Sequence, residues 1–143
     1  MSQVVSMSGV VIVTTPQDVS LIDARKSLRM FEQLKVPVLG IVENMSYFIC
    51  PNCDTRHEIF SHGGGRKTAD ELGVNFLGEI PMDPAVVKGG DEGQPIIVAA
   101  PESPVAVAYN EMAGRVAARL SVLAEQGSGS AGPIMPEPID WKS

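Results

Sequence analysis

The stretch Gly9 to Thr15, GVVIVTT, is dominated by valine and isoleucine and ends against Pro16. A strand with one wet face alternates apolar and polar residues. A near-continuous apolar run instead fits a strand covered on both faces, and such strands belong to parallel sheets packed between helices. The next segment agrees. Val19 to Lys35 carries Leu21, Ala24, Leu28, Phe31 and Leu34 at spacings of three and four, with Arg25, Lys26, Arg29 and Glu32 mostly on the other side, which predicts an amphipathic helix. Pro37 to Asn44, PVLGIVEN, reads as a second strand. Residues 9–44 therefore form a β-α-β unit with a right-handed crossover, and its first strand is expected at the centre of a parallel sheet.

Further along, Arg66 to Leu72 predicts a short helix closed by Gly73, and Asn75 to Pro81 a third strand. Pro84 to Val98 reads as a helical turn and a glycine-broken loop with a brief extended piece at Ile96 to Val98. Ser103 to Ala124 places Val105, Ala108, Met112, Val116, Leu120 and Leu123 on one face, with Ser103 as N-cap and Pro104 at the first helical position. The fold class expected is α/β, a three-layer, mostly parallel sheet flanked by helices. Residues 1–125 form the domain, and the Gly/Ser- and Pro-rich residues 126–143 form a flexible tail containing Trp141. A central-looking strand that starts so early predicts that the front half of a larger domain is missing.

At 143 residues the chain suffices for one domain with a real core, and aromatics at 5% leave that core to aliphatic side chains. A net charge of −6 argues against nonspecific binding to nucleic acid or to anionic membrane. The start of the chain lacks a basic region followed by an apolar run, and Val10 to Val13 is far too short to span a bilayer, so a cytoplasmic protein is expected.

Both cysteines and both histidines fall within residues 46–65, SYFICPNCDTRHEIFSHGGG. Two residues between Cys50 and Cys53 let the chain turn and point both sulfurs at one centre. Three readings fit that spacing. A zinc knuckle would use Cys50, Cys53, His57 and His62, with little chain between the pairs to close a tetrahedron. A redox pair would want its first cysteine at a helix N-terminus, whereas Pro51 and Asn52 mark a turn. An iron-sulfur cluster needs four thiolates, of which one chain supplies two and a twofold axis could supply the rest. The run GGGRKT, Gly63 to Thr68, lacks the spacing of a phosphate loop, because Arg66 precedes Lys67 and His62 stands where the leading glycine would be. It reads as a glycine hinge into the next helix, with an anion site at that helix N-terminus left open.

The segments VVIVTTPQDVSLIDARKSLRMFEQLKVPVLGIVENMSYFICPNC, HGGGRKTADELGVNFLGEIPMDP and DEGQPIIV closely resemble the C-terminal half of the Mrp/ApbC iron-sulfur cluster carrier ATPases, in the MinD/ParA group of P-loop NTPases. The resemblance runs from about Gly9 to Leu120, and ENMSYFICPNC is its most specific part. It implies a homodimer joined through the CxxC loop, residues 45–62, with Cys50 and Cys53 of two protomers bridging a [4Fe-4S] cluster that passes to apo iron-sulfur proteins. It also implies ATP binding, with Asn44 and Asp83 on the adenine side. Asn44 has an amide able to pair with the adenine edge, while Asp83 also reads as a plain helix N-cap. The family's deviant Walker A loop, its lysine and its magnesium-binding aspartate have no counterpart here, so ATP hydrolysis by this chain alone is not expected. Asp54 stands where a glycine is common after the second cysteine, which tightens the turn or adds negative charge beside the cluster.

Overall fold

The computed structural model describes residues 7–127. Their order is β1 (Val10–Thr14), α1 (Asp18–Gln33), β2 (Val38–Ile49), β3 (Arg56–His57), α2 (Gly64–Leu72), β4 (Phe76–Met82), α3 (Pro84–Asp91), α4 (Ile96–Ala99) and α5 (Pro104–Gly127). Strand β2 is the middle of the sheet. It pairs in parallel with β1 from Val10↔Val38 to Thr14↔Glu43, and in parallel with β4 from Ile41↔Phe76 to Asn44↔Ile80. The crossovers through α1 and α2 make these pairings parallel, as the β-α-β reading requires. The tip of β2 pairs antiparallel with β3, Phe48 facing His57 and Ile49 facing Arg56. Because Phe48 meets Met82 of β4 on its other side, β3 lies on the β1 side of β2, beyond the end of β1.

Successive residues of β2 point to opposite faces, and each face has its own core. Ile41 packs with Ile12, Ala24, Leu28 and Ala69 beneath α1 and α2. Val42 packs with Leu77, Ile80, Ile96 and Val105 beneath α4 and α5. The result is the expected three-layer α/β domain.

The position of β1 corrects an expectation. Among the described residues it pairs with β2 alone, and Val13 is 61% exposed, so β1 is an edge strand. An apolar run records which faces a strand can bury, and no described element lies over Val13. At the opposite edge, Arg115 of α5 donates from Nη1 to the Leu77 carbonyl at 2.9 Å. That contact occupies a backbone acceptor that a free edge would otherwise present.

The helix ends follow local chemistry. Helix α1 stops where Lys35 turns left-handed, φ 55°, with Lys35 N donating to Glu32 O and Val36 N to Phe31 O. Gly73 closes α2 in the same conformation, φ 68°. Asp83 caps α3 by accepting from Ala85 N at 2.8 Å, with Pro84 first in the helix. Ser103 accepts from Ala106 N at 3.3 Å ahead of Pro104, as its place in the sequence predicts. The extended piece expected at Ile96 to Val98 is instead one helical turn: Pro95 O accepts from Val98 N and Ala99 N, and Ile96 is buried against α5. Helix α5 runs through Gln126 and Gly127, past the expected domain boundary, and the rest of the expected tail, with Trp141, lies outside the described residues. Among the described residues, no helix is long and apolar enough to cross a membrane.

Candidate metal centre

Strand β2 does not end at Asn44. Met45 takes a left-handed conformation, φ 52°, where the register with β4 shifts, and the strand then resumes as far as Ile49. Pairing with β3 makes a hairpin whose tip is Cys50 to Thr55. The tip is closed by Cys50 N donating to Thr55 O at 3.0 Å and Asp54 N donating to Cys50 O at 2.9 Å. Asp54 is left-handed, φ 54°. A glycine adopts that conformation freely, and aspartate tolerates it better than most residues, which explains the substitution at this point of the turn.

Both thiols are free, Cys50 half-buried and Cys53 exposed. Cys53 Sγ lies 3.2 Å from Thr55 Oγ1. Hydrogen bonding from the Thr55 side chain, then from the Thr55 backbone and the Cys50 thiol, holds Cys53 below the ordinary thiol range. More of it is thiolate at neutral pH, the form that binds metal.

The histidines do not join the cysteines. His57 pairs with Phe48 in the hairpin stem, and His62 Nε2 contacts Arg56 Nη2 at 2.7 Å and Glu79 Oε2 at 3.2 Å. Arg56 also lies over the Tyr47 ring, 3.8 Å from its centroid. Among the described residues, no three His, Cys, Asp or Glu side chains converge as a metal site. The four-ligand zinc knuckle is therefore not assembled in this geometry.

Below the hairpin sits a residue that the sequence reading passed over. Glu43 is fully buried, and its carboxylate accepts from Ser46 Oγ at 2.6 Å, from Gly63 N at 3.2 Å and from Gly65 N. The anion site left open at the start of α2 thus holds the chain's own carboxylate, where a helix N-terminus favours negative charge. The glycine run is not a hinge: Gly64 and Gly65 form the first turn of α2. A Cβ on Gly65 would stand 3.0 Å from Glu43 Cβ and Oε2, and one on Gly64 would stand 2.7 Å from Leu21 Cδ1. A sequence signal for Glu43 existed, since it is the charged residue of β2, ahead of a glycine-initiated helix.

Asn44 pairs with Ile80 of β4, three residues ahead of Asp83. Asn44 Oδ1 accepts from Met45 N at 3.0 Å, a local bond at the bulge. Asp83 lines a cleft of about 270 Å³ with Phe48, Pro51 and Asp54 of the hairpin, and Asn44 does not line it.

The mostly parallel three-layer sheet and the two-cysteine hairpin define an α/β domain with a thiol-bearing loop. A family model described as the NUBPL iron-transfer P-loop NTPase, within ParA, matches residues 1–117, and the chain belongs to that family. It is 46% identical over 124 residues to the iron-sulfur protein required for NADH dehydrogenase of Arabidopsis thaliana, named as mitochondrial, covering 87% of this chain and 40% of that one. It is 50% identical over 125 residues to the iron-sulfur cluster carrier protein of Synechocystis, covering 87% of this chain and 35% of that one. A nucleotide-binding protein from Archaeoglobus fulgidus, solved with ADP, superposes with a TM-score of 0.57 at 42% identity, covering 67% of this chain and 38% of that one. The chain thus spans roughly two-fifths or less of each of these proteins.

Proposed function

We propose that this chain carries the cluster-binding part of an iron-sulfur carrier. Cys50 and Cys53 of one chain and the same pair of a second copy hold a [4Fe-4S] cluster as cargo, for delivery to apo iron-sulfur proteins in a reducing compartment such as the cytoplasm. The observation that carries this reading is the donor set: two free thiols at an exposed hairpin tip, with no further ligand gathered around them among the described residues. A cubane cluster takes four thiolates, so two such tips meeting about a twofold axis complete it and one tip does not. Exposure at the tip also suits a cargo that must leave, because a recipient's thiols can approach the cluster while the carrier still holds it. The names of the relatives, a cluster carrier and an iron-sulfur protein, support the same reading.

ATP binding belongs, in this proposal, to the longer protein of which these residues would form one side, with Asn44 and Asp83 towards the adenine. Hydrolysis is not assigned to this chain. Phosphoryl transfer rests on positioning and charge stabilisation of the phosphates. The glycine-rich turn ahead of α2 already donates its Gly63 and Gly65 N–H groups to Glu43.

The test is cluster transfer. The chain is reconstituted anaerobically with iron and sulfide, mixed with an apo-ferredoxin of the [4Fe-4S] type, and the two are separated. The expected result is a ferredoxin that gains its cluster faster than from free iron and sulfide. A cluster that forms and never leaves, or transfer no faster than from the free ions, contradicts the carrier reading.

A further inference from the structure

The cysteine hairpin lies between Glu43 in β2 and Gly63 at the start of α2, so residues 44–62 are one excursion whose two ends meet at a single side chain. On the outgoing side, the Glu43 carboxylate accepts from Ser46 Oγ at 2.6 Å. On the returning side, it accepts from Gly63 N at 3.2 Å and from Gly65 N. Glu43 and Ser46 are fully buried. A carboxylate taken out of water persists only where its lone pairs are met by donors, and these three supply them. The fit is close on the glycine side, since a Cβ at Gly65 would stand 3.0 Å from two atoms of Glu43, Cβ and Oε2. The left-handed Gly63, φ 77°, turns the returning chain so that its N–H meets the carboxylate.

We propose that Glu43 is the positioning residue of the metal centre: it clamps the base of the hairpin to the start of α2 and thereby fixes where Cys50 and Cys53 are presented. The inference rests on the cluster-binding reading of those cysteines. The tip closes its own turn through Cys50 and Thr55, but that turn sets only how the two sulfurs lie relative to each other. The stem is held beside β4 by the pairing of Phe48 with Met82, and at its base Glu43 joins the outgoing strand to the returning chain. A centre shared by two chains needs both tips held in register, so a loosened base weakens the cluster even with all thiols intact. A further side-chain tie across the excursion is the part-exposed set of Arg56, His62 and Glu79, whose charges water screens. The buried tie is the stronger constraint.

The test uses the full chain with two variants that attack the contact from opposite sides. Glu43→Gln places an amide N–H₂ against backbone N–H donors, and Gly65→Ala presses a methyl group onto the carboxylate. Amide hydrogen exchange is read over residues 44–62 against residues 38–42 and 76–80, and the half-life of the reconstituted cluster is followed by its visible absorbance. Exchange in the hairpin is expected to quicken, with the sheet unchanged, and the cluster half-life to fall about tenfold in both variants, the low end of the loss seen when a partner that orients a metal ligand is removed. Unchanged hairpin exchange overturns the clamp. Faster exchange with an unchanged cluster half-life overturns the positioning role and leaves Glu43 a structural residue. If Glu43→Gln does not fold, Ser46→Ala, which removes one donor to the same carboxylate, is read by the same two measurements. A wild-type chain that takes up no cluster sinks the carrier reading instead, and the clamp is then decided by exchange alone.

Discussion

Replacing Cys50 and Cys53 together by serine is expected to abolish iron and sulfide retention while leaving the fold unchanged. The chain has two cysteines in all, so no other thiol can take over. Serine keeps the shape of the side chain but offers an oxygen that stays protonated at neutral pH, a poor ligand for a cluster held by soft thiolates. The fold is spared because both residues sit at a hairpin tip, where Cys53 is exposed and neither belongs to either core. Changing Cys50 or Cys53 alone already removes one ligand per chain, hence two of the four in a twofold site, and is expected to fall nearly as far. Iron and acid-labile sulfide per chain, measured beside far-ultraviolet circular dichroism, check both halves of the expectation. A doubly substituted chain that still holds iron and sulfide at the wild-type level would remove the basis for the proposed site.

The second large effect lies in the core under α1. Leu28→Ala is expected to cost about 3 kcal/mol of folding stability, within the range for a leucine truncated in a packed interior. Leu28 is 2% exposed and packs with Ile12, Ala24, Ile41 and Ala69, so its loss opens a cavity bounded by α1, β1, β2 and α2. Against a total of about 5–15 kcal/mol for a domain, that is a large share. Val87→Ala makes the control, since Val87 is 68% exposed and its truncation should cost about 0.5 kcal/mol or less. Urea unfolding gives both numbers from the shift in midpoint. A Leu28→Ala midpoint no lower than that of Val87→Ala would mean that the α1 face is not the packed core described here.

Much of this fold is legible because its signals are local. The apolar stretches of β1 and β2 with the helical spacing between them dictate a parallel unit, and Gly73, Ser103 and Pro104 mark helix ends by conformational or hydrogen-bonding chemistry that acts over one turn. The features that escaped depend on distant partners or on conformations without a residue signature. The hairpin stem, Tyr47 to Ile49, has good strand formers, but a left-handed Met45 separates it from the first half of β2, and methionine gives no hint of that conformation. The β-branched Ile96 to Val98 suggests a strand, yet the Pro95 carbonyl and burial of Ile96 against α5 hold it helical. The edge position of β1 depends on which elements surround it, which the apolar run itself does not encode.

The site divides in the same way. The spacing of Cys50 and Cys53 points to metal or redox chemistry, because two intervening residues suffice to bring two sulfurs round one turn. The histidines were ambiguous, since ligand chemistry alone cannot say that His62 turns to Glu79 and Arg56 instead. Glu43 becomes a buried anchor through the return of the chain at Gly63 to Gly65, a partner twenty residues away.

The central claim is that one chain offers half of a cluster site. Native mass spectrometry of the chain, purified anaerobically after reconstitution with iron and sulfide, weighs that claim directly because it reports metal identity and stoichiometry together. The account predicts two chains carrying a single [4Fe-4S] cluster. One chain carrying one zinc, or a chain that stays monomeric and bare, would contradict it.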